Sequence, residues 1–81
     1  MTRRVKAERT ARLLQARLEA LGHVDERAPL PAKTLAAELA RTELATRRAV
    51  ELHLLTAPQA DEIWARSRAR HPRLVPPQDA G

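Results

Sequence analysis

The sequence predicts an all-α fold, a single small bundle of about four helices with a flexible C-terminal tail. Apolar residues recur at three- and four-residue spacing over long stretches, and Gly and Pro stand at the edges of those stretches. No segment shows the strict alternation of a half-buried strand. At 81 residues the chain holds one domain and not two.

Thr2 to Leu21 contains neither Pro nor Gly, and Ala7, Ala11, Leu14, Leu18 and Leu21 fall at 4-3-4-3 spacing. That spacing shares one helix face, so a first helix is expected over residues 3–21. Gly22 would supply the left-handed residue that ends it. Residues 23–30 form a connector, and Pro31 suits the first position of the next helix, where its missing N–H does no harm. Residues 31–55 have helical composition, but Leu39 is followed by Leu44 at a five-residue step. A bend at Arg41 to Glu43 restores the face, with Thr42 as a cap, giving helices over 31–40 and 43–55. One unbroken helix is the alternative, because neither Gly nor Pro interrupts the segment. Thr56 and Gln59 form a T-x-x-Q capping box for a last helix over 57–71, which Pro72 ends. The domain thus spans 1–72, and 73–81 is expected to be a flexible tail.

The core is thin. Leu, Val and Ile supply 17 of the 81 residues and Phe is absent, whereas Ala supplies 16. Ala favours helix but fills little space, and a domain of this size buries only about 60% of its unfolded surface. A homodimer or a protein partner is therefore expected to complete the core. The stripe of Leu14, Leu18 and Leu21, or the face of Ile63 and Trp64, is the expected interface.

Composition excludes several classes. Without Cys there is no disulfide, thiolate nucleophile or sulfur metal site, which fits a reducing cytoplasm. No uncharged stretch approaches the roughly 20 residues that span a bilayer, and VKAERTARLL is too charged for a signal-peptide core. His23, His53 and His71 are too far apart in sequence for a local metal motif and read as surface or helix-end residues; no metal or cofactor is expected. Asp25/Glu26 and Asp61/Glu62 are the only adjacent carboxylates, and loop and helix-start roles account for them. No catalytic residue is expected, so the chain does not read as an enzyme.

One segment carries a pattern. Leu35 to Val50 reads LAAELARTELATRRAV, which resembles the helix-turn-helix of bacterial and phage repressors. Leu35, Ala36 and Leu39 match its first helix, Thr42 its capping residue, Arg48 its arginine and Val50 its closing apolar position. Ala40 stands where such motifs usually carry Gly, and Arg41 where they carry an apolar residue. The resemblance implies a cytoplasmic transcription regulator that occupies an operator in duplex DNA. Glu43, Leu44 and Arg48 would face base edges, Arg48 being suited to guanine. Thr34, Thr42 and Arg47 would hold phosphates.

The charge of +5 is polarised. Residues 1–22 carry six basic and two acidic groups, whereas residues 32–55 carry four and three. Arg3, Arg4 and Lys6 at one end, and Arg66, Arg68 and Arg70 at the other, would then grip phosphates on either side of a reading helix. The alternative is a helical protein-interaction module, such as an antitoxin, an inhibitor or a subunit, whose partner is a protein. The two readings part at residues 35–55: one straight helix there removes the main support for DNA recognition.

Overall fold

The chain folds into α1 (Arg3–Arg27), α2 (Ala32–Glu51) and α3 (Ala57–Arg70). The computed structural model describes residues 3–76, with side chains from Lys6 onward. The all-α class is observed. Among the described residues there are three helices where four were expected, and no strand.

α1 continues past Leu21 to Arg27, so the expected stop at Gly22 does not occur. Gly22 has no positive φ and lies inside the helix. A Cβ built there would collide with the His71 ring, so this glycine serves a close approach and not a turn. The buried stripe runs on through Asp25, whose Oδ1 accepts the Leu30 N–H at 2.8 Å and pairs with Arg73 at 3.2 Å. Asp25 thereby fixes the turn into α2. Gly22→Ala is expected to destabilise the fold by about 1–2 kcal/mol in urea titration, because the clash with a buried ring outweighs the helix-propensity gain of about 1 kcal/mol.

α2 replaces the two expected helices over 31–40 and 43–55, and the reason is chemical. Its buried stripe is Leu35, Leu39, Thr42, Thr46 and Ala49, an unbroken 4-3-4-3 series in which two threonines stand where leucines were sought. Thr42 Oγ1 donates to the Glu38 carbonyl at 2.9 Å, and Thr46 Oγ1 donates to the Thr42 carbonyl at 2.8 Å. Each hydroxyl is satisfied by the preceding turn, so both fit an apolar face without a bend. Thr42 is therefore a core residue and caps nothing.

The end of α2 is a Schellman closure. His53 takes φ 59°, its N–H bonds to the Val50 carbonyl at 3.0 Å, and the Leu54 N–H bonds to the Ala49 carbonyl at 2.9 Å. α3 then opens on the expected capping box: Gln59 N–H to Thr56 Oγ1 at 3.2 Å, and Thr56 N–H to Gln59 Oε1 at 2.9 Å.

α3 packs most extensively against α1. The core comprises Leu14, Leu18, Leu35, Leu39, Ala49, Leu55, Ile63, Trp64 and Leu74. Leu74 lies within the expected tail yet is fully buried, and Arg73 donates to the Leu30 carbonyl at 3.1 Å. A thin core recruits the one large apolar side chain that Pro72 turns back onto it. The expected tail is thus anchored at Leu74, with Val75 exposed beside it, and the expected flexibility of 77–81 falls outside the described residues.

Candidate functional site

The two faces of α2 differ in use. The inward face is closed by α1 and α3. Along the outward face Lys33, Ala37, Ala40, Leu44, Arg48 and Glu51 follow at 4-3-4-4-3 spacing, and all are exposed. Leu44 is 52% exposed at the middle of the helix, and Leu52 is 69% exposed at its end. This seam has a large apolar centre, two small residues on one side and long side chains on the other.

The residues expected to read bases do not converge. Leu44 and Arg48 lie on this outward face, but Glu43 is half-buried on the flank and pairs with Arg47 at 3.3 Å. Among the expected phosphate contacts, Thr34 and Lys6 are exposed, whereas Thr42 is 1% exposed and cannot reach a phosphate. Arg66 pairs with Glu62 at 2.6 Å and Arg70 with Glu19 at 2.8 Å. Such exposed pairs are weak. The side chains of Arg3 and Arg4 fall outside the described residues.

The residues expected at a dimer interface are spent within the chain. Leu14, Leu18, Ile63 and Trp64 are buried in the intramolecular core, and Leu21 packs against its edge. Leu74 adds apolar cover to this core from within the chain.

Between α2 and α3 lies an open groove of about 430 Å³, floored by Val50, Ala60 and Trp64. Glu43 and Asp61 balance Arg47 and Arg68 around it, so the groove selects no sign of charge. Arg68 is thus one wall of this groove, away from a cluster with Arg66 and Arg70.

A second grouping was not legible in the sequence. His71 is buried against α1, with Nδ1 2.7 Å from Glu26 Oε1 and Nε2 3.3 Å from Glu19 Oε2. The His23 ring meets it edge-on, with centroids 5.2 Å apart. Histidines 48 positions apart in the sequence are neighbours in the fold. Only the Glu19-x-x-x-His23 step, one turn of helix, carried any signal. No helix among the described residues is long and apolar enough to cross a membrane. In comparisons with known proteins the chain matches no family model, no curated protein and no solved structure.

Proposed function

We propose that this chain is a helical interaction module whose docking surface is the outward face of α2 and whose partner is a second copy of itself. The single observation that carries the reading is the unbroken α2 with Leu44 exposed at its centre while the inward stripe is already buried. Two such faces packed antiparallel about Leu44 place Leu44 on Leu44 of the other copy. Arg48 then lies over Ala40, and Glu51 over Ala37 with Lys33 one turn beyond. Long side chains meet small ones, and the acidic end meets the basic end. A two-fold arrangement of this kind is closed and self-limiting.

Recognition of duplex DNA through a helix-turn-helix draws less support. Its turn would fall at Arg41 to Glu43, where α2 is continuous, and its capping residue Thr42 faces the core. What supports it is the basic composition, the motif resemblance over Leu35 to Val50 and the exposure of Leu44 and Arg48.

A seam on one face of a single helix is expected to bury less than a standard interface of roughly 800 Å² per partner, so weak association is expected. Sedimentation equilibrium across a concentration series measures it. Leu44→Glu puts two carboxylates opposite each other at the centre and is expected to weaken the dimer roughly tenfold or more, with helicity unchanged. A chain that stays monomeric at these concentrations, and binds duplex DNA with an affinity that Arg48→Ala and rising salt both reduce, overturns the proposal in favour of DNA recognition.

A further inference from the structure

The geometry points to a binding site for a divalent transition-metal ion of the zinc class, formed by Glu19 and His23 of α1 with His71 beyond α3. One ligand atom from each of these residues lies within 4.8 Å of the others. The donor set of two imidazoles and one carboxylate suits a borderline ion that prefers tetrahedral coordination, leaving a fourth position for water.

Three further features fit such a site. First, both ring nitrogens of His71 face carboxylates, at 2.7 Å on the Glu26 side and 3.3 Å on the Glu19 side. With Nδ1 taken up by Glu26, Nε2 and Glu19 Oε2 face each other across a gap that a cation can bridge. The 3.3 Å separation is longer than a charge-assisted N–H···O bond of about 2.7–2.9 Å. It equals the spacing of roughly 3.3 Å between neighbouring donors when metal–ligand bonds of about 2.0–2.1 Å meet at the tetrahedral angle.

Second, the outer partners of a metal site are in place. Glu26 engages His71 Nδ1 and leaves Nε2 as the ligand atom, and Arg70 holds the other Glu19 oxygen, Oε1, at 2.8 Å. Third, the backbone is shaped for it. Gly22 has no Cβ where the His71 ring lies, which lets a buried imidazole reach the Glu19–His23 face of α1. Glu19 and His23 stand one helical turn apart and project on the same side. His23 is exposed, so no packing holds its ring in place.

Binding would tie the C-terminal end of α3 to the C-terminal part of α1 and displace any proton on the ligating nitrogens. The interaction surface on α2 has no part in it, so the two proposals stand or fall separately.

The test uses the full chain without a histidine tag, stripped with chelator and titrated with Zn²⁺ by calorimetry and with Co²⁺ by visible absorption. One ion per chain is expected, with the intense visible bands of tetrahedral Co²⁺. His23→Ala and Glu19→Gln alter exposed or partly exposed groups and should leave the helical circular dichroism intact, while each weakens Zn²⁺ roughly tenfold or more. His53→Ala, in the turn after α2, should bind as the unaltered chain does. Absence of one-to-one binding overturns the site. So does binding that neither His23→Ala nor Glu19→Gln weakens.

Discussion

Trp64→Ala is expected to destabilise the chain by about 4 kcal/mol, the largest loss for any single truncation here. Trp64 is the only aromatic residue and is 4% exposed. Its Nε1–H donates to Thr46 Oγ1 at 3.1 Å, linking α3 to the polar step in the α2 stripe. Truncation removes the largest apolar group from a thin core and opens the floor of the α2–α3 groove. A domain of 81 residues has roughly 4–12 kcal/mol of stability in all, so the loss removes at least about a third of it. Urea titration followed by far-ultraviolet circular dichroism measures this. Trp64→Phe keeps most of the packing and loses the N–H donor; a cost of about 1–2 kcal/mol is expected. A loss below 1 kcal/mol for Trp64→Ala would mean that α3 does not rest on this side chain.

Glu43→Pro is the second large effect, and its sign depends on the shape of α2. If Thr42 capped a separate helix, residue 43 would be its first position, where proline is well tolerated. In an unbroken α2 the same proline removes an interior hydrogen bond and clashes with the Leu39 carbonyl. That costs about 3 kcal/mol or more, plus a small amount for the lost exposed pair with Arg47. The expected result is a large drop in the urea midpoint and lower helicity. A near-neutral Glu43→Pro would restore the bend.

These variants also show where the sequence was legible. The all-α class followed from period alone, and the T-x-x-Q box at Thr56 located the start of α3 because both of its hydrogen bonds are local. The unbroken α2 stood only as the alternative because the stripe was traced through leucines, with Thr42 read as a cap. The hydroxyls of Thr42 and Thr46 donate back one turn, and Thr46 Oγ1 also accepts the Trp64 Nε1–H, so both fit a buried stripe. Gly22 misled in the opposite way. A glycine after an apolar stripe reads as a stop signal, and what required it here was the His71 ring, 49 residues on. The grouping of Glu19, His23 and His71 was equally out of reach, because it depends on how α3 crosses α1 and on Leu74 drawing the chain back. Local chemistry fixed the ends of helices well where side chains capped them, and poorly where tertiary contacts decided.

The outward face of α2 exists as a single docking surface only if the helix runs through Arg41, Thr42 and Glu43. Residue-resolved amide hydrogen exchange, read with backbone carbon chemical shifts, measures that directly. The unbroken helix predicts helical shifts and slow exchange continuously from Leu39 to Ala49, with no gap at those three residues. Rapid exchange and extended-backbone shifts at Arg41 to Glu43, flanked by two protected segments, would contradict it and return the chain to two helices joined by a turn.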